Sequence, residues 1–177
     1  MLKRFYVSNF RSLLNFEFRP TGLNLLVGEN NAGKTNLCLA IYFVGLSSRF
    51  SLESAIRKAI EETWNITNCY VKDRDISFEV EADIPDGDIT LAFTYSFKIT
   101  SGPEPSSSRQ QLLVSEEVLK VTGGEFKQTP LIENKQGKVR LLHEGRFITH
   151  STLDHYVDTQ APRDATMLSR LYDLETN

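Results

Sequence analysis

Apolar and polar positions along the first fifty residues predict three strands and a helix. Residues 2–7 read as a strand, and residues 14–18 read as another because apolar and polar side chains alternate strictly. Residues 22–27 form an apolar, β-prone run that follows a Pro-Thr-Gly turn. Residues 36–46 have helical spacing. We therefore expect an antiparallel strand pair, then a third strand that leads into a helix.

A change of period at Asp75 divides the chain. Before it, residues 51–64 place apolar side chains at helical spacing. After it, apolar and polar residues alternate in segments that are separated by turn-forming residues, which predicts an antiparallel meander rather than a βαβ series. The predicted strands of this meander are residues 76–82, 89–99, 112–121, 126–132 and 139–142. Residues 163–174 are compatible with a closing helix.

Composition narrows the class of protein. The 177 residues are 40% hydrophobic, and no apolar run approaches the length of a membrane span. We see no secretion signal, and Cys38 and Cys69 form no C-x-x-C pair, so a reduced, cytoplasmic protein without a membrane partner is expected. Cys38 is expected to be a buried free thiol. The net charge of −3 gives no electrostatic case for nucleic-acid binding, although residues 1–50 carry six basic and two acidic residues.

Residues 28–35 read GENNAGKT, a complete phosphate-binding loop pattern between a predicted strand and a predicted helix. Gly28 and Gly33 allow backbone N–H groups to converge on phosphate oxygens, and the helix N-terminus attracts the same anion. Lys34 would contact the β- and γ-phosphates, and the Thr35 hydroxyl would ligate Mg²⁺. An ordinary glycine turn that caps a helix is the alternative. The predicted ATP-contacting residues are Gly28, Asn30, Asn31, Ala32, Gly33, Lys34, Thr35 and Asn36.

The order of predicted elements separates this chain from most phosphate-loop enzymes, in which a parallel strand follows the loop helix. Residues 8–13 (SNFRSL), 22–37 and 114–119 (VSEEVL) resemble the N-terminal lobe of SMC/RecF-like ABC-type ATPase heads, and most closely RecF-like and OLD-like AAA ATPases. Residues 164–171 are similar to a segment that follows the sheet in this class. The resemblance implies an α/β phosphate-loop fold in which an antiparallel meander follows the loop helix.

The resemblance also implies roles for individual residues. Arg11 matches an arginine that can approach the bound nucleotide, although a solvated turn arginine is the alternative. Gln160 lies near the position of a glutamine that senses Mg²⁺ and the attacking water. Asn31 stands where the family commonly has glycine, and asparagine tolerates a left-handed backbone well.

Two catalytic motifs of the class are absent from this sequence: a serine-glycine signature, and an apolar strand that ends in Asp-Glu. We therefore expect no catalytic residue here and no ATP hydrolysis by this chain alone. The expected organisation is one N-terminal part of an ATPase domain, with a phosphate-loop subregion (1–70), an antiparallel sheet (71–150) and the start of a helical region (151–177). The C-terminal half would lie outside the sequence.

The resemblance implies an ATP- and Mg²⁺-binding lobe that works in DNA maintenance or in defence against foreign DNA. Its partners would be a second ATPase head, engaged when ATP is bound, and DNA through the full-length protein. One alternative is a nucleotide-sensing interaction module that binds ATP without turnover. Another is a small phosphate-loop kinase, which the meander disfavours.

Two weaker patterns predict no further site. His143, His150 and His155 lie close together, but they lack the helical spacing of a zinc site. Residues 134–137 (NKQG) lack the aspartate of a guanine-reading motif, so guanine selectivity is unsupported.

Overall fold

The computed structural model describes residues 1–60, 66–71, 75–103, 110–124, 126–142 and 156–170. Within them lie eight strands and two helices. The strands are β1 (Leu2–Ser8), β2 (Phe16–Phe18), β3 (Ile76–Asp86), β4 (Ile89–Pro103), β5 (Gln110–Gly123), β6 (Phe126–Lys135), β7 (Lys138–Leu142) and β8 (Tyr156–Gln160). The helices are α1 (Lys34–Ser47) and α2 (Leu52–Ala59).

All eight strands belong to one antiparallel sheet in the order β2-β1-β3-β4-β5-β6-β7-β8. From β3 onward, each strand pairs with the next along the chain, so the predicted meander is confirmed. The predicted pairing of the first two strands is also confirmed, although β2 contains only three residues. Strand β1 pairs with β2 on one side and with β3 on the other.

The main core lies between one face of this sheet and α1. Phe43 of α1 packs 5.5 Å from Phe78 of β3, and Phe78 packs 5.0 Å from Phe97 of β4, measured between ring centroids. Phe10, from the turn after β1, stacks 6.0 Å from Phe43 and meets Phe78 edge-on at 5.6 Å. These four rings are almost fully buried. They fix α1, and therefore the loop before it, against the sheet.

A connecting segment, residues 161–170, returns from β8 to the other elements. The backbone N–H of Ala161 donates to the carbonyl of Gly137, and that of Val114 donates to the carbonyl of Arg163. The hydroxyl of Thr166 donates to the carbonyl of Ser47 at 2.7 Å. This segment joins the β6–β7 turn, β5 and the C-terminal end of α1.

The prediction of a third strand at residues 22–27 is wrong for the described structure, since these residues form no strand. Leu23, Leu25 and Val27 are 91%, 86% and 82% exposed. A strand needs a hydrogen-bonding neighbour. None of the described strands pairs with residues 22–27, although β2, the nearest strand in sequence, has a neighbour, β1, on one side only.

Three other differences concern boundaries and burial. Helix α2 ends at Ala59 because Ile60 adopts an extended conformation, and residues 61–65 lie outside the described part. Cys38 is exposed on α1 and not buried, because the helix turns that side away from the sheet. Residues 156–160 form β8, not the start of a helical region; a helical turn begins only at Met167, and residues 171–174 of the predicted closing helix are not among those described.

Candidate nucleotide-binding site

The loop of residues 28–33 leads directly into α1, which begins at Lys34. Asn31 has a left-handed backbone with φ 68°, and Gly33, at the helix N-cap, has φ 90°. Asparagine tolerates the left-handed region better than other side chains, and glycine adopts it freely. The sequence therefore places suitable residues at the two positions where the loop reverses direction.

The N-terminal end of α1 is free to receive an anion. Its first intrahelical hydrogen bond runs from the N–H of Leu37 to the carbonyl of Gly33, so the N–H groups before Leu37 have no partner within the helix. The first turn contains no acidic residue. No carboxylate of the first turn of α1 therefore competes for the positive end of the helix dipole.

Two side chains of the loop pattern stand at this helix end. The Nζ atom of Lys34 donates to the carbonyl oxygens of Gly28, at 2.7 Å, and Glu29, at 2.5 Å. Lys34 therefore folds back over its own loop. Thr35 is exposed, so its hydroxyl is accessible to a hydrated cation. A phosphate within the loop could be contacted by Lys34 while Thr35 ligates Mg²⁺ on its outer side.

The turn after β1, residues 9–15, lies against this loop. A Cβ atom placed on Gly33 would lie 3.1 Å from Oγ of Ser12 and 3.6 Å from a methyl of Leu13. Ser12 Oγ also accepts a 2.7 Å hydrogen bond from Nδ2 of Asn36. Arg11, which precedes Ser12 in the turn, is half-buried. The structure thus brings the turn that carries Arg11 against the predicted loop through Ser12 and Leu13, while a contact of Arg11 with the nucleotide stays a prediction.

Gln160 is not brought to the loop. It is the last residue of β8 and is exposed, and its pairing partner is Lys138 of β7. After Gln160, the connecting segment leads to Thr166, which contacts Ser47 at the end of α1 opposite the loop. A role for Gln160 in Mg²⁺ binding stays a prediction without a supporting contact.

Sequence patterning missed one buried polar cluster. Glu117, on β5, is fully buried and accepts hydrogen bonds from the N–H of Met167 at 2.7 Å and from the Tyr95 hydroxyl at 3.0 Å. Burial raises the pKa of Glu117 above its ordinary value, although the hydrogen bonds from Met167 and Tyr95 act to lower it. Neighbouring side chains on a strand face opposite sides of the sheet, and Glu116 is exposed. Nothing in the local pattern indicated which of the two is buried.

Neither a metal cluster nor a membrane span is found in the described part of the chain. No three His, Cys, Asp or Glu side chains there could together hold a metal ion, and His143, His150 and His155 lie outside it. Among the described helices, none has both the length and the apolar character that a bilayer crossing requires.

Comparison with known proteins agrees with the loop geometry. A family model described as an AAA ATPase domain matches residues 1–167. The chain is 40% identical over 50 residues to the DNA replication and repair protein RecF of Shewanella pealeana, a stretch covering 28% of this chain and 14% of that protein. It is 54% identical over 48 residues to the RecF protein of Lactobacillus delbrueckii subsp. bulgaricus, a stretch covering 26% of this chain and 12% of that protein. It is 42% identical over 59 residues to the RecF protein of Nitrosococcus oceani, a stretch covering 31% of this chain and 16% of that protein.

Proposed function

Because this chain belongs to the AAA ATPase domain family, we propose that residues 28–35 bind Mg-ATP in a RecF-like ATPase. The observation that carries the proposal is the loop itself, in which Asn31 and Gly33 provide the two left-handed positions and which leads directly into the N-terminal end of α1, where N–H groups have no partner within the helix. Lys34 supplies the cation for the β- and γ-phosphates. Thr35 supplies the hydroxyl for Mg²⁺, and Arg11 approaches from the neighbouring turn.

Hydrolysis would need residues that this sequence does not contain. We propose that a C-terminal half supplies the acidic Mg²⁺ anchor and the residue that polarises water. The exposed segment 22–27 supports this proposal, because its four exposed apolar side chains, Leu23, Leu25, Leu26 and Val27, lie next to the phosphate loop and are expected to be covered by such a half. A relative in which 50 residues are 14% of the length is about twice as long as this chain, which leaves room for such a half.

The names of the relatives support a proposal for the biological role. Because the matched proteins are DNA replication and repair proteins, we propose that this chain acts in DNA maintenance, with a second ATPase head that engages when ATP is bound. Defence against foreign DNA, as in OLD-like relatives, is the neighbouring possibility within the same class. A nucleotide-sensing module that binds ATP without turnover is the second candidate, and the absence of the catalytic motifs from this sequence favours it.

Calorimetric titration of Mg-ATP into this chain and into the Lys34→Ala variant tests the site. We expect binding by the unmodified chain and its near loss in the variant, because Lys34 is the cation of the loop pattern. Lys120→Ala, which removes an exposed lysine from β5, is the matched control and should bind normally. Equal affinity in all three proteins would refute the site. ATP turnover by this chain alone would refute the need for a second half.

A further inference from the structure

We propose that Asn36 is a positioning residue that holds the Arg11 turn against the phosphate loop through Ser12, rather than a ligand of the nucleotide. This inference rests on the proposed ATP site and assigns a role within it. It starts from the 2.7 Å hydrogen bond between Asn36 Nδ2 and Ser12 Oγ, which crosses from α1 to the turn after β1. The amide of Asn36 is therefore already directed at the turn.

The turn that receives this bond has an unusual backbone. Asn9, Arg11 and Asn15 all have positive φ values, at 63°, 51° and 48°. Arginine is rarely found in the left-handed region, because its Cβ crowds the following carbonyl, and such strain persists only where surrounding contacts impose it. Strain of this kind concentrates at ligand sites.

Contacts that impose the strain lie on both sides of Arg11. Behind it, Phe10 is fully buried against Phe43 and Phe78. The backbone N–H of Arg11 itself donates to the carbonyl of Ile66 at 2.7 Å. In front of it, Ser12 contacts Asn36 and lies against Gly33. The Ser12–Asn36 bond is therefore a polar connection between the turn and the start of α1.

Geometry gives this connection a function. Packing of Phe10 holds the turn against both Phe43 of α1 and Phe78 of β3, whereas the Ser12–Asn36 bond holds its exposed side against the first turn of α1, next to the loop. Breaking that bond leaves the core intact but lets the turn open more often, which loosens the position of Arg11 relative to the phosphates. An arginine contact is sensitive to such displacement, because a guanidinium binds phosphate oxygens with defined geometry.

Binding of ATP to single and double variants tests the proposal. We expect Ser12→Ala and Asn36→Ala each to weaken Mg-ATP binding roughly fivefold, and the double variant to be no weaker than either, because both remove one bond. In an Arg11→Ala background, Ser12→Ala should have no further effect. Ser12→Thr, which keeps the hydroxyl, should restore affinity. Ser48→Ala, which removes an exposed hydrogen bond to Gly45 at the other end of α1, is the matched control.

Amide hydrogen exchange without nucleotide separates this inference from the ATP site. Exchange at the Arg11 N–H, which is bonded to Ile66, should be several times faster in Ser12→Ala and Asn36→Ala than in Ser48→Ala. If the unmodified chain bound no ATP but exchange rose in this way, the ATP site would fail and the positioning contact would stand. Unchanged exchange, or losses of affinity that multiply in the double variant, would overturn the positioning role.

Discussion

The hydroxyl of Thr166 lies 2.7 Å from the carbonyl oxygen of Ser47, and this buried hydrogen bond joins the last residue of α1 to the segment that follows β8. The same Thr166 oxygen accepts a hydrogen bond from the N–H of Ser169 at 3.3 Å. The Thr166 side chain thus satisfies a carbonyl at the C-terminal end of α1 and an N–H in the helical turn that begins at Met167. The phosphate loop and the far end of the sheet are connected through α1.

Replacing Thr166 by valine should destabilise the chain. Valine keeps the shape but leaves the buried carbonyl of Ser47 and the N–H of Ser169 without this partner, at a cost of about 1–3 kcal/mol in the free energy of unfolding. Chemical denaturation measures the change. Ser48→Ala removes a similar but exposed bond and should change stability little. Equal effects of the two substitutions would contradict the assigned importance of the buried bond.

Glu117 should make stability depend on pH. Because burial raises its pKa above the ordinary 4.5, the folded state binds the proton more tightly than the unfolded state. The resulting stabilisation is complete below pH 4.5 and is lost as the pH rises through the raised value. Glu117→Gln does not titrate, so the stability of the unmodified chain relative to this variant should fall from pH 4.5 upward. Denaturation curves for both proteins across that range provide the measurement, and a relative stability that rises instead would show that the hydrogen bonds outweigh burial.

Asn31 should accept glycine but not alanine. A φ of 68° at position 31 carries no strain for glycine, whereas alanine in the left-handed region lowers the free energy of unfolding by about 1 kcal/mol. Asn31→Ala should therefore lower the free energy of unfolding and weaken Mg-ATP binding, and Asn31→Gly should preserve binding. For the free energy of unfolding, Asn30→Ala, one residue earlier and without a positive φ, is the control. Calorimetric titration of Mg-ATP into the two Asn31 variants decides whether position 31 requires the left-handed backbone or the amide side chain.

The exposed segment 22–27 gives a prediction that depends on chain length. In this chain, Leu25→Ser with Val27→Ser should leave the free energy of unfolding within about 0.5 kcal/mol, because both side chains are exposed. In the full-length protein, where we propose that they are covered, the same pair should cost about 2–5 kcal/mol. Ile84→Ser with Ile89→Ser, on the exposed β3–β4 hairpin, is the matched control. Neutral behaviour of both pairs in the full-length protein would argue against a covering half.

Local signals predicted the meander and the loop, because both depend on residues close in sequence. Alternation fixes which side of a strand is buried, and the pattern of residues 28–35 specifies a loop before a helix. The prediction of a third strand was wrong because strand formation depends on a partner that can be distant in sequence. Residues 22–27 have strand composition, but a strand exists only when another segment pairs with it, and among the described residues none does.

Long-range contacts account for what patterning could not give. The burial of Glu117 depends on Met167, which is 50 residues away, and the Ser12–Asn36 bond spans 24 residues. Arg11 was predicted from a family resemblance, and its strained backbone became visible only in three dimensions. Strand β8 was not predicted at all, since it pairs with β7 across residues 143–155.

The topology of the sheet has a consequence for the order of folding. Strands β3 to β7 each pair with the next strand along the chain, whereas β1 must pair with β3 across everything between Ser8 and Ile76. Closing the longer connection costs more chain entropy, so we expect the meander to form in the transition state and the loop region afterwards. A ligand that binds only what forms last slows unfolding without speeding folding. Stopped-flow kinetics with Mg-ATP should therefore show a slower unfolding rate and an unchanged folding rate.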